Sequence, residues 1–266
     1  MVDFEYKEHY TVSDYRKIIS LLRGEGGCPW DREQTHESIR RNLLEEAYEV
    51  CEAIDERDPE HLREELGDLL MQVLFHADME AEAGRFDLDD VADTACRKLI
   101  LRHPHVFGTT KVSSSAEVLE NWDAIKRVEK NQRSTGDAMD SVARTLPALW
   151  RAEKIQGKAH KAGFDWPDIG GALEKFREEA GELEEAVSRS QGVEEELGDA
   201  LFALVKIARF AGTDPEAALH GACEKFIRRY RFMEEEAARR GRPLEDFSLE
   251  EQEAFYQLAK QNESNG

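Results

Sequence analysis

The pentapeptide Glu64-Glu65-Leu66-Gly67-Asp68 returns letter for letter as Glu195-Glu196-Leu197-Gly198-Asp199. Glu45-Glu46-x-x-Glu49 returns as Glu178-Glu179-x-x-Glu182, and the segment Ala95 to Arg102 returns as Ala222 to Arg229. The three matches keep one order, at separations of 131, 133 and 127 residues. Acidic helical strings often resemble one another by chance, but three in order at nearly one offset indicate a duplicated unit. Whatever the chain folds into, half of it must build once and then build again. The expected division is a first repeat over 1–132, a polar linker over 133–144 and a second repeat over 145–266.

Each half reads as helices. Ser13 is placed to cap a first helix that stops at Gly24, and the Gly- and Pro-rich stretch from Gly24 to Asp31 reads as a loop. From Thr35 to Arg57 apolar residues recur at spacings of three and four. Asp58-Pro59 is a start signal, an N-cap followed by proline at the first helical position, for a helix that ends near Gly84. Asp87 opens another that runs to Arg102, and after the break from His103 to Gly108 one more spans Ser114 to Gln132. No segment alternates apolar and polar residues for long enough to be a strand. The expected fold class is all-α, two tandem helical-bundle repeats.

Charge narrows the partners. With 57 acidic against 36 basic residues the formal net charge is −21, which repels nucleic-acid polymers and anionic membranes. A small anion remains compatible if cations accompany it. Cys28, Cys51, Cys96 and Cys223 are too scattered for a CxxC metal motif or a disulfide framework. Met1 to Tyr10 is charged, with no apolar core of a secretory signal, and no run approaches the roughly 18 apolar residues of a membrane helix. The expected address is the cytoplasm.

The duplicated acids carry the chemistry. Glu46 and Glu49 share one helical face, as do Glu65 and Asp68 on the following helix. The turn at Asp58-Pro59 lies nine residues after Glu49 and six before Glu65, so the two pairs come nearly level across an antiparallel hairpin. Glu179 and Glu182 face Glu196 and Asp199 by the same argument. A single ExxE on an acidic helix is ordinarily a solvated face; the pairing with a second motif, repeated with its turn, is what sets these apart. Converging carboxylates take up protons or hold cations, and oxygen-only ligands favour Mg²⁺ or Mn²⁺. A di-iron bundle needs Glu-x-x-His on each of two helices, and the chain has it once, at Glu33-x-x-His36. Gly67 and Gly198, inside the acidic helices, read as positions of close helix packing. Lys98 with Arg102, and Lys225 with Arg229, each share a face that suits the outer phosphates of a triphosphate.

These residues resemble the MazG family of nucleoside triphosphate pyrophosphohydrolases. The likeness rests on Gly27-Cys-Pro-Trp-Asp-Arg-Glu-Gln-Thr35, Leu44-Glu-Glu-Ala-Tyr-Glu-Val50, Glu65-Leu-Gly-Asp68, His103-Pro-His-Val-Phe107, Leu146-Pro-Ala-Leu149, Lys154-Ile-Gln156, Gly163-Phe-Asp-Trp166 and Glu224-Lys-Phe226, and covers nearly the whole chain. The resemblance implies two MazG-like repeats, a homodimer, and Mg²⁺-dependent hydrolysis of NTP and dNTP to the monophosphate and pyrophosphate. It implies metal ligation by Glu179, Glu182, Glu196 and Asp199, with Glu46, Glu49, Glu65 and Asp68 as counterparts. It assigns catalysis to Glu178 and Glu179 and nucleotide contacts to Lys175, Phe176, Arg177, Lys225, Arg229 and Tyr256. Cys223 stands where relatives often have Asn, Tyr256 where relatives have Trp, and Asn42 where the second repeat has Lys175. That last difference favours the second repeat as the working site. The competing readings are a narrow dCTP/dUTP or phosphoribosyl-ATP pyrophosphohydrolase of the same fold, and a non-catalytic nucleotide-binding regulator.

Overall fold

The computed structural model describes residues 4–264, so the first three residues of the charged N-terminal stretch lie outside them. The chain is α1 (Val12–Arg23), α2 (Pro29–Glu33), α3 (Arg40–Glu56), α4 (Pro59–Glu82), α5 (Leu88–Arg102), α6 (Pro104–Phe107), α7 (Ser115–Glu129), α8 (Thr135–Asp140), α9 (Ala148–Lys161), α10 (Ile169–Arg189), α11 (Val193–Ala211), α12 (Pro215–Arg239) and α13 (Leu249–Ser264). A 3-10 turn, Leu244–Asp246, precedes α13. No strand occurs among the described residues, so the all-α expectation holds. Two compact units form, Met1–Lys126 and Arg127–Gly266.

In the first unit the centre is the hairpin of α3 and α4, with α1 laid against α4. Asp58 caps α4 through the backbone N–H groups of Glu60 and His61, and Pro59 fills the first helical position, as its sequence requires. Asp87 opens α5 with a capping box completed by Asp90. The short helices α2 and α6 occupy part of the stretches 24–31 and 103–108 that read as a loop and a break, and two further boundaries differ from expectation. Thr11, not Ser13, caps α1, because Asp14 stands three residues on and closes the box back to the Thr11 backbone. And α3 begins at Arg40 rather than Thr35, because Thr35 and Ser38 bond each other's backbone in a turn that competes with the helix. Ile19, Ile39, Leu74, Phe75 and Met79 form the core of this unit.

The hairpin of α10 and α11 is the centre of the second unit, with α9 against α11 and α12 paired to α13. The buried face of α10 is Ala172, Glu179 and Ala186, and that of α11 includes Ala200, Ala203 and Val205. Short side chains let the two helices approach closely, and Glu179 is enclosed between the alanines seven residues to either side. Met233, Ala237, Leu244, Phe247 and Phe255 form a second cluster under α12 and α13. The stretch 133–144 carries α8, capped by Ser134 with Asp137 closing the box, and Ala138 is fully buried.

Both hairpins turn through a left-handed residue that is not glycine, Arg57 (φ 58°) and Ser190 (φ 54°). These occupy matching places in the duplicated sequence, so the backbone repeats as the letters do. The second helix of each hairpin is also pinned from a segment that precedes the hairpin by ion pairs with a buried member. In the first unit Arg23, at the end of α1, reaches Asp78 (3.5 Å) and Glu82 (2.9 Å) on α4 and donates to the Asp31 carbonyl. In the second the polarity is inverted. Asp165, in the loop before α10, pairs with Lys206 (3.2 Å) and Arg209 on α11 and with His160 (2.8 Å), and Lys206 lies over the Trp166 ring.

Candidate metal centre

The level placement of the acids across the hairpin turns sequence spacing into a cluster. In the second unit, ligand oxygens of Glu179, Glu196 and Asp199 lie within 4.8 Å of one another, and Glu178, Glu179 and Glu182 form an overlapping group of the same size. Glu179 belongs to both and is 6% exposed. The Glu182 carboxyl is raised from its ordinary range by partial desolvation and by the charges of Glu179 and Glu196. Glu196 falls in the first turn of α11, beside Glu194 and Glu195, where the helix N-terminus favours negative charge.

Lys175, one turn before Glu179 on α10, donates to Glu178 (2.7 Å) and stands 2.6 Å from Glu179. Hydrogen bonds to Glu178 and Glu179 hold its pKa above the usual lysine range. The Lys175 ammonium among these oxygens offsets part of their mutual repulsion. An oxygen-only donor set beside a buried carboxylate fits a hard divalent cation.

In the first unit Glu46, Glu49 and Glu65 form the corresponding group. Asp68 is not among those oxygens, but its charge is, after desolvation, the largest cause that raises the Glu46 carboxyl. The α3 position that matches Lys175 is not a lysine. His61 Nε2 is 3.3 Å from Glu65, Tyr15 donates its hydroxyl to the Gly67 carbonyl at 3.3 Å, and Asn42 takes the place that Lys175 has in α10.

The remaining expected residues sort by element. Phe176 is half-buried and Arg177 exposed on α10. Arg229 of α12 donates to Glu263 (2.8 Å) and to the Tyr256 hydroxyl (3.2 Å) of α13 and lies over the Tyr256 ring. Phe226 stands 6.2 Å from the same ring, centroid to centroid, while Lys225 is exposed. The structure therefore joins Arg229 and Tyr256 into one aromatic and cationic group. The first unit keeps a counterpart, since Arg102 lies over Trp122 of α7, 5.5 Å from the ring centroid.

One expectation fails. A Cβ added at Gly67 or Gly198 meets nothing within 4 Å, so neither glycine is a place of close helix packing; each leaves open space on a carboxylate helix. Two buried glutamines escape sequence reasoning. Gln156 of α9 is 2% exposed and donates to the Phe202 carbonyl of α11 at 2.7 Å. Gln72 of α4 is 5% exposed, with Nε2 3.5 Å from Glu46. A lone glutamine in a helical pattern carries no signal in sequence, and the string Lys154-Ile-Gln156 gives no role for its amide.

Comparison with known proteins agrees with this architecture. The MazG nucleotide pyrophosphohydrolase domain matches residues 34–107 and again residues 172–232. A nucleoside triphosphate pyrophosphohydrolase of Escherichia coli (strain K12) is 46% identical over 251 residues, which is 92% of this chain and 95% of that protein. The nucleoside triphosphate pyrophosphohydrolase/pyrophosphatase MazG of Thermotoga maritima is 43% identical over 243 residues, 91% of this chain and 93% of the relative. The two matched regions contain the two hairpins and their acids, and the chain belongs to the MazG nucleotide pyrophosphohydrolase family.

Proposed function

We propose that the protein hydrolyses nucleoside and deoxynucleoside triphosphates to the monophosphate and pyrophosphate, with Mg²⁺ (or Mn²⁺) at the carboxylates of the second repeat. The observation that carries this reading is Lys175 against Glu178 and Glu179, an ammonium held at a cluster whose buried member is Glu179. Family membership and the names of the full-length relatives support the reaction class.

Glu179, Glu182, Glu196 and Asp199 would hold the cation, which when bound supplies Lewis acidity at the phosphate oxygens. Water adds its oxygen to the α-phosphorus while the bond to the bridging oxygen of the β-phosphate breaks, and pyrophosphate leaves. The water's proton passes to a carboxylate, with Glu178 the exposed candidate beside the cluster. Lys175, held at Glu178 and Glu179, would be placed to offset the charge of the leaving pyrophosphate. Tyr256 with Arg229 offers a ring face and a guanidinium for the nucleoside end, with the exposed Lys225 one turn away.

A homodimer is part of the same reading. Leu197, Leu201, Phe202 and Leu204 on α11 and Leu44, Tyr48 and Leu66 on α3 and α4 are exposed, and helical bundles commonly complete themselves across a two-fold axis. So is a cytoplasmic address, where nucleoside triphosphates are made and consumed.

The test is a panel of all NTPs and dNTPs with Mg²⁺, with pyrophosphate and orthophosphate measured separately. Pyrophosphate and monophosphate in equal amounts are expected. Orthophosphate as the first product, or no turnover of any triphosphate, overturns the reading.

A further inference from the structure

Gln156 is a buried amide at a place where the first repeat does without one. α9 packs on α11 as α1 packs on α4, and Lys154-Ile155-Gln156 aligns with Lys17-Ile18-Ile19. Ile19 is 1% exposed, in an apolar cluster against which Leu70 and Met71 of α4 pack; Leu201 and Phe202 hold those two places in α11. Gln156 is 2% exposed, its Nε2 donates to the Phe202 carbonyl at 2.7 Å, and its Oε1 is buried with no hydrogen-bond partner. Ile19 shows that an aliphatic side chain serves this packing position, and one here would bury no orphaned acceptor. The second repeat therefore keeps a carboxamide at a cost in stability.

What the amide adds is direction. Apolar contact is non-directional, whereas a hydrogen bond to one carbonyl fixes the height and rotation of the helix that carries it. Phe202 lies three residues beyond Asp199, less than one turn along α11. The first unit has a tie of the same kind made from different residues. Tyr15 of α1 donates to the carbonyl of Gly67, the residue before Asp68, and the same alignment puts Ala152 where Tyr15 stands. The letters at both positions have diverged, yet each repeat bonds its preceding helix to a backbone carbonyl beside the aspartate of its cluster. We infer that Gln156 is a positioning residue for the second-repeat site. Through the Phe202 carbonyl it sets the register of α11, and so the reach of Glu196 and Asp199 toward Glu179 and Glu182 on α10. The inference rests on the triphosphate hydrolysis proposed for that site.

The test is Gln156→Ile, which installs the first repeat's own residue, in the full chain. It is expected to melt at the temperature of the unmodified chain or above it, and to keep its triphosphate KM within about twofold, while kcat falls by about tenfold. Gln156→Met, unbranched and of similar reach but without a donor, gives the same split and covers the case in which the β-branch of isoleucine does not fit. Unchanged kcat in both variants overturns the inference. So does a fall in kcat that only matches a loss of folded protein by circular dichroism, which is all a merely structural amide would produce. If the unmodified chain turns over no triphosphate, the proposed reaction is what fails, and register is then read from Mn²⁺ binding, followed by loss of the free-ion paramagnetic resonance signal. One class of sites about tenfold weaker in Gln156→Ile upholds the inference, and equal affinity overturns it.

Discussion

Lys175 sets its ammonium nitrogen 2.6 Å from Glu179, the most deeply buried of the duplicated acids, whereas Glu46, its counterpart, lies 3.5 Å from the Gln72 amide nitrogen and beside Glu49. One cluster has an ammonium at its buried glutamate and the other a neutral amide.

Glu179→Gln therefore lowers triphosphate turnover by on the order of 100-fold or more, since it removes one ligand charge without changing size, while Glu46→Gln retains substantial activity. Steady-state rates of both variants, with sizing and circular dichroism to show that they are folded, decide the matter. A dead Glu46 variant beside a working Glu179 variant reverses the assignment, and equal half-losses make the two sites equivalent.

If the clusters hold divalent cations as proposed, those cations should stabilise the chain, and the effect should shrink in acid. Desolvation and neighbouring carboxylates raise Glu46 and Glu182, and desolvation and Glu49 raise Glu65. Acids with raised folded pKa values favour the folded state at low pH and oppose it as pH rises through those values. At neutral pH the metal-free clusters are thus destabilising, and Mg²⁺ relieves them by about 2.7 kcal/mol at 100 times its Kd. Melting curves with Mg²⁺ and with chelator should separate clearly at pH 7.5 and draw together as pH falls into the carboxyl range. Chelator should also abolish turnover.

The first unit contains a second pH-sensitive element. His36 and His76 stack with their Nδ1 atoms 2.7 Å apart, His36 Nε2 is 2.6 Å from Glu80, and Arg85 pairs with Glu80 through two nitrogens. Burial, then the neighbouring His36, lowers the pKa of His76 below 6.5. The unfolded chain then takes up the proton first, so stability falls as pH drops through about 6.5. Arg85, aided by His36, holds Glu80 at about 2, which adds stability above the ordinary carboxylate range that is lost as pH falls toward 2. Stability of His76→Phe measured between pH 7.5 and 5.5 should show a shallower slope than that of the unmodified chain; an unchanged slope removes His76 as the cause.

The isolated chain should be found as a dimer. Light scattering at micromolar concentration is expected to give twice the chain mass of 30.4 kDa. Arg and Glu substitutions at Leu201 and Phe202 should shift it toward the monomer, because charge on a desolvated apolar face costs several kcal/mol. A single 30.4 kDa species before any substitution counts against the proposal.

Much of this is legible from spacing. Asp58-Pro59 starts α4 because cap and proline act locally, and the acids converge because two helices joined by a short turn must run side by side. What spacing hides depends on partners distant in sequence or on rival local bonds. Ser13 has the residue type of a cap, yet only Thr11 has Asp14 at the spacing that closes the box. Glycine inside a helix suggests a close neighbour, but the space beside Gly67 and Gly198 is open. The His36–His76 contact joins residues 40 apart, and no helical periodicity encodes it.

The inverted ion pairs at the two hairpins bear on how a duplicated chain avoids confusing its halves. Arg209 holds in α11 the place that Asp78 holds in α4, and their partners, Asp165 and Arg23, are likewise opposite in sign. Were α1 laid on α11, Arg23 would meet Lys206 and Arg209; were the loop before α10 laid on α4, Asp165 would meet Asp78. Sibling segments that emerge one after the other during synthesis compete for the same docking faces, and here each misdocking buries like charges against one another. Divergence has given the two copies separate electrostatic keys, so that a protein made of one unit twice assembles as two different halves.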